Sequence, residues 1–231
     1  MKYFRWLPSF LTLLNLAAGA VAIILSVEGN YYGATLAVMV AIFFDGLDGW
    51  TAGMLHATSD FGEKLDSLAD IVSFGVAPAI ILYGIGLKDL GILGWIVAIL
   101  FPIAGAVRLA LFKAGAVPGY FVGLPTTAAA GTVVALMLGR VDFPAWGWAI
   151  VIILLATLMV SRVRYPNIKC LNARGIRLWK ILLFIGVVIG AVVAVTLVNP
   201  RYLFVLPAIV YILHGIKEWA LSKVRIVKVQ H

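Results

Sequence analysis

Residues 45–70 read DGLDGWTAGMLHATSDFGEKLDSLAD and hold six of the ten acidic residues in a chain of 231. Around them charge is scarce. Only 12% of the residues are charged, 63% are hydrophobic and the mean hydropathy is +1.08, whereas a typical soluble domain carries about 25% charged residues. Apolar segments flank the stretch on both sides, long enough to cross a ~30 Å hydrocarbon core, which takes about 20 helical residues. The stretch is therefore read as the junction of a transmembrane helical hairpin, and the chain as an all-α polytopic membrane protein.

Working outward, hydropathy and turn residues predict about eight transmembrane helices, at 8–28, 32–55, 65–87, 91–112, 121–139, 143–161, 178–198 and 201–221. The first apolar run, behind Lys2 and Arg5, exceeds the roughly 7–15 residues of a signal-peptide core and is expected to be retained as a span. An even number of spans puts both termini on one side. That side would carry fifteen basic residues, against Lys88, Arg140 and Arg201 on the other. This bias predicts that the termini and the aspartate stretch face the cytoplasm. The net charge of +8 is thus assigned to a membrane surface; no basic domain with interleaved aromatics offers itself to nucleic acid. Residues 161–180, SRVRYPNIKCLNARGIRLWK, read as a basic interfacial loop with room for a short surface helix. Cys170 is the single cysteine and can form no intrachain disulfide.

The acidic residues carry the chemistry. Asp45 and Asp48 are three apart and share one helix face; Asp66 and Asp70 are four apart and share another. A hairpin joining the two helices brings four carboxylates together just inside the membrane boundary. An ionised carboxylate at mid-bilayer costs roughly 2.5–3.5 kcal/mol even on lenient scales, and four also repel one another. Lys64 and Arg108 are too few to neutralise them. A hard divalent cation answers the need, and an all-carboxylate donor set suits Mg²⁺ or Mn²⁺ better than Zn²⁺. His56, at a helix end, is read as interfacial rather than as a ligand. Gly46, Gly49, Gly53 and Gly62 leave the neighbouring backbone bare, which permits close approach of a ligand or tight helix packing. Carboxylates, metal and bare backbone together point to a metal-bound diphosphate.

The same residues carry a resemblance. Asp45, Asp48, Gly49 and Ala52, followed after nine intervening positions by Gly62, Asp66 and Asp70, match the signature D-x-x-D-G-x-x-A-R, eight residues, G-x-x-x-D-x-x-x-D of the CDP-alcohol phosphotransferases. The chain is similar in particular to the membrane-integral phosphatidylserine synthases, through PSFLTLLNLAAG (8–19), DSLADIVSFGVAPA (66–79), GYFVGLPTTAAAG (119–131) and LMVSRVRYPNIK (158–169). The likeness covers about residues 7 to 170. Three positions depart from it: Gly53 stands where the signature has Arg, and Trp50 and Leu111 stand where those synthases tend to be basic.

The resemblance implies a catalytic membrane domain of six helices over 1–170, with a C-terminal helix pair and basic tail over 171–231. It implies transfer of a phosphatidyl group from a CDP-diacylglycerol-type lipid to a small alcohol, with release of CMP, by direct attack and without a covalent enzyme intermediate. Two metal ions would be held by Asp45, Asp48, Asp66 and Asp70, with Asp70 as general base. The CDP-lipid would lie against Asp48, Gly49, Ala52, Gly62 and Asp66. L-Serine is the expected acceptor, its carboxylate met by Arg108 and Arg162, because phosphorylated acceptors such as inositol phosphate or glycerol phosphate need further cations. A homodimer is also implied. Pro125 is read as shaping a helix start. Two rival readings stay open: a cation transporter with an acidic pathway, and a scaffold that keeps its metal site but has lost turnover.

Overall fold

The computed structural model describes residues 6–55, 59–114, 120–161, 164–166 and Ile212. His56, Arg162, Cys170 and the spans expected at 178–198 and 201–221, Ile212 excepted, lie outside the described residues. Among the described residues, four helical segments are long and apolar enough to cross a membrane, Leu7–Val27, Tyr31–Leu55, Asp60–Ile85 and Ile92–Leu111, and two shorter apolar helices follow. The chain is an integral membrane protein, and these six segments fall where the first six spans were expected.

Helix α1 (Leu7–Val27) opens with Pro8 in its first turn, where the missing N–H is no loss because first-turn donors have no intrahelical acceptor. Its buried positions, Pro8, Thr12, Asn15, Gly19, Ala22 and Ser26, recur every three or four residues. Such a stripe of small and polar side chains lets helix backbones approach closely inside a membrane. At Gly19 the approach is complete: a Cβ there would lie 2.7 Å from the Cα of Ser73. The Ser73 hydroxyl donates to the backbone oxygen of Asn15 at 3.0 Å, tying the two helices at this level. A methyl at position 19 must push them apart, so Gly19→Ala is expected to destabilise the fold by about 1–3 kcal/mol. Thermal denaturation in detergent reads this directly, and an unchanged midpoint would show that the contact can be relieved at no cost.

A tight turn at Glu28–Asn30, with Gly29 at φ +80°, leads into α2 (Tyr31–Leu55), where Asn30 Oδ1 accepts the N–H of Gly33 at 2.9 Å. Helix α3 (Asp60–Asp70) is capped by Ser59, whose Oγ accepts from the Gly62 N–H at 3.1 Å, and carries Asp60 and Glu63 in its first turn. Both features favour a helix start. This is why the helix begins at Asp60 rather than at the predicted 65. The same span continues through a π turn, Ile71–Val76, into α4 (Ala77–Ile85). Pro78 lacks an N–H and its ring crowds the carbonyl four residues back. The helix accommodates it by widening, with the Ala77 N–H reaching Val72 O. Pro102, inside α5 (Ile92–Ala114), packs beside this region: a Cβ at Gly75 would meet its Cα at 3.3 Å.

Helix α6 (Thr126–Leu138) is shorter than its predicted span of 121–139, and α7 (Ala145–Val160) completes the described bundle. Residues 120–122 instead form strand β1 (Tyr120–Val122), paired antiparallel with β2 (Arg164–Pro166). The reason is local: Gly123 at φ +79° and Pro125 at φ −56°, ψ 140° cannot extend a helix backward. The loop predicted at 161–180 therefore contributes one strand of this ribbon. Helix α6 buries residues on all sides, among them Ala129, Ala130, Val133 and Val134, as a central helix must. It separates two apolar cores. One gathers Leu82, Phe101, Leu124, Trp148 and Ile152, with Ile212 against it; the other gathers Ala22, Val38, Phe74, Ile81 and Val134.

Candidate active site

At one end of the bundle the start of α1, the end of α2, the start of α3, the end of α5 and the start of α6 surround a cavity of about 590 Å³. Of the four carboxylates predicted to converge, Asp45, Asp48 and Asp66 line it and Asp70 does not. Asp45, Asp48 and Asp66 each offer an oxygen, and these three oxygens lie within 4.8 Å of one another. The hairpin geometry produces this: one turn of α2 separates Asp45 from Asp48, and α3 returns alongside so that Asp66 faces both. Asp70 is one turn deeper on α3. It stands outside the 4.8 Å group, adjoins Asp45, and is only 7% exposed. Its Oδ1 is buried with no hydrogen-bond partner among the described residues.

Two threonines that the sequence reading did not single out hold the cluster in place. The Thr12 hydroxyl of α1 donates to Asp48 Oδ2 at 2.7 Å, and the Thr127 hydroxyl of α6 donates to Asp45 Oδ2 at 3.3 Å. Each supplies one neutral donor to a carboxylate, far less than three converging anions need in a poorly solvated site. A hard divalent cation fits the donor set: oxygens only, three of them converging, and a further buried carboxylate oxygen without a partner. Nothing local distinguished these threonines in the sequence. Thr12 belongs to the small-residue stripe of α1, and Thr127 follows the helix-starting Pro125.

The cavity wall beside the cluster is bare, as expected. Gly49, Ala52 and Gly62 all line it. A Cβ built on Gly46, Gly49 or Gly53 would meet nothing within 4 Å, so helix packing does not require glycine there. Gly62 differs, since a Cβ would come 3.1 Å from Ser59 Oγ, the cap of its own helix. Trp50 and Leu111 are well exposed and do not line the cavity. Arg108, from α5, lines the cavity although it is only 7% exposed, and its Nη1 donates to Thr126 Oγ1 at 3.2 Å. Pro125 precedes α6 as its cap residue, as expected, and also lines the cavity.

Known proteins resemble this chain over the same region. The family described as CDP-alcohol phosphatidyltransferase matches residues 5–163. A CDP-diacylglycerol–serine O-phosphatidyltransferase of Helicobacter pylori strain J99 is 34% identical over 232 residues, covering 95% of this chain and 93% of that protein. A protein of the same name from Mycobacterium leprae strain TN is 40% identical over 150 residues, covering 62% and 50% respectively. The archaetidylserine synthase of Methanothermobacter thermautotrophicus strain Delta H is 34% identical over 170 residues, 72% of each chain. The matched region takes in the aspartate cluster, the bare cavity wall and Arg108, and the chain belongs to the CDP-alcohol phosphatidyltransferase family.

Proposed function

We infer that this protein transfers a phosphatidyl group from CDP-diacylglycerol, or from an ether-lipid counterpart, to L-serine, forming phosphatidylserine and releasing CMP. One observation carries the reading: three convergent carboxylates, an open glycine wall and a buried arginine share a single cavity. The relatives above, two named as CDP-diacylglycerol–serine O-phosphatidyltransferases and one as an archaetidylserine synthase, agree with it. Residues 1–170 act as the catalytic unit. The basic bias of the sequence supports placing the cavity and both termini at the cytoplasmic face.

Asp45, Asp48, Asp66 and Asp70 would hold Mg²⁺ or Mn²⁺, two ions in all. When bound, the ions neutralise the diphosphate and the charge that builds on its leaving oxygen. The protein's own residues do the rest. Gly49, Ala52 and Gly62 form the surface against which the cytidine nucleotide lies, with no side chain beyond Cβ to obstruct it. Arg108 meets the carboxylate of serine, and Arg162 is assigned the same task. Asp70 accepts the proton of the serine hydroxyl as its oxygen attacks phosphorus. The new O–P bond forms, the P–O bond to CMP breaks, and no enzyme–lipid bond is made.

Arg108 is the one Lys or Arg that lines the cavity among the described residues, and this scarcity of cations favours an acceptor without a phosphate. Purified protein in detergent, given CDP-diacylglycerol and Mn²⁺, is expected to release CMP with L-serine and not with glycerol 3-phosphate or inositol phosphate. Release with a phosphorylated acceptor alone would overturn the serine assignment and leave the phosphatidyl transfer standing. No release with any acceptor would overturn both.

A further inference from the structure

Thr126 and Thr127 are neighbours in the first turn of α6, and each binds a different charged group. Thr126 Oγ1 accepts from Arg108 Nη1 at 3.2 Å, and the Thr127 hydroxyl donates to Asp45 Oδ2 at 3.3 Å. One peptide unit thus bridges the cavity's buried arginine and its carboxylate cluster, which come from α5 and α2. We propose that this threonine pair is a positioning element that sets the distance between the acceptor-binding cation and the phosphoryl-transfer site, and that Thr126 thereby determines acceptor affinity. The proposal rests on the reading of Arg108 as the residue that meets the acceptor's carboxylate.

The start of α6 is built to be rigid. Gly123 enters it at φ +79°, and a Cβ there would collide with the backbone oxygen of Met159. The Leu124 N–H donates to Leu158 O at 3.0 Å, fastening the entry to the end of α7. Pro125 then fixes its own φ at −56°. On the other side, a Cβ at Gly105 would stand 3.3 Å from Thr126 Cγ2, so α5 passes close by one turn before Arg108. Thr126 itself is only 1% exposed. An element anchored on two neighbouring helices holds its hydroxyls where they stand, and a guanidinium with a fixed partner loses less freedom when it binds an anion. Serine and phosphorylated acceptors differ in where their anionic group lies relative to the attacking hydroxyl, so a fixed spacing discriminates between them.

The two threonines make separable predictions for the full-length protein in detergent. Thr126→Val is expected to raise the KM for L-serine roughly 10- to 100-fold, the effect of removing a hydrogen bond to a charged group. kcat and the CDP-diacylglycerol concentration for half-maximal rate stay as they were. Thr126→Ser restores the serine KM and Thr126→Ala does not, a comparison that serves equally if the valine variant fails to fold. Thr127→Val instead weakens Mn²⁺ binding, read as free Mn²⁺ by electron paramagnetic resonance, with the serine KM unchanged. Arg108→Gln raises the serine KM. If it does so while neither Thr126→Val nor Thr126→Ala does, the threonine proposal is overturned and the role of Arg108 survives. If Arg108→Gln leaves the serine KM alone, the underlying reading fails and the proposal with it. A parallel rise in the serine and CDP-diacylglycerol constants for Thr126→Val would mean that Thr126 only supports the fold, and would also overturn the proposal.

Discussion

Asp70→Asn is expected to slow CMP release by about 10²–10⁴-fold, the usual worth of a positioned general base. The substitution keeps the side chain's size but replaces the carboxylate with a neutral amide, which can neither take a proton from the attacking hydroxyl nor offer an anionic oxygen to a metal. Because Asp70 is deeper than the group formed by Asp45, Asp48 and Asp66, the variant should still bind Mn²⁺ through the three carboxylates that remain. Single-turnover CMP release at saturating L-serine, alongside Mn²⁺ binding by electron paramagnetic resonance, separates the two roles. A variant that binds Mn²⁺ and turns over at the wild-type rate would remove Asp70 from the mechanism. Loss of all Mn²⁺ together with the rate would make it a ligand first.

The second large effect is metal removal. Chelation with EDTA should abolish activity, and added Mn²⁺ or Mg²⁺ should restore it. Asp66→Asn should raise the Mn²⁺ concentration for half-maximal rate by at least ~10²-fold, since residues that merely orient metal ligands already account for 10- to 100-fold. The structure explains why Asp66 is the informative choice. It comes from α3 to complete a group whose other members, Asp45 and Asp48, both belong to α2. The substitution keeps the side chain's size and takes away the anionic oxygen that α3 contributes to this group. Full activity in excess chelator would exclude this use of the cluster.

How far each of these effects could be foreseen differs from residue to residue. The four aspartates stand out because a membrane segment rejects uncompensated charge, so each one that persists needs a reason visible at the level of composition. Their spacing of three and four then places them on helix faces without any knowledge of the fold. Thr12, Thr126 and Thr127 offered no such signal. A threonine in a membrane helix satisfies its own hydroxyl by donating to the carbonyl four residues back, as Thr35 and Thr132 do here, so its presence is cheap and says nothing about a partner. The single proton of Thr12 has two acceptors in reach, the Pro8 carbonyl at 3.0 Å and Asp48 Oδ2 at 2.7 Å, and only the packing of α1 against α2 reveals the second.

The same contrast separates the predicted helices from the observed ones. Apolar length placed the described spans correctly because it is set by bilayer thickness, a property of the solvent. It failed at residues 120–125, where apolar side chains continue but Gly123 and Pro125 turn the backbone into a ribbon and a fixed entry to α6. It was also blind to the π turn beneath Asp70, which a proline eight residues downstream of that aspartate explains once the helix is seen to run through it. By itself, then, the amino-acid order determined a membrane-embedded helical chain with a carboxylate hairpin at one boundary, because charge in hydrocarbon and helical periodicity are local costs. Which oxygens meet, which carboxylate lies deepest, and which hydroxyls tie Arg108 to Asp45 were decided only by the tertiary structure, because those distances depend on how separate helices pack against one another.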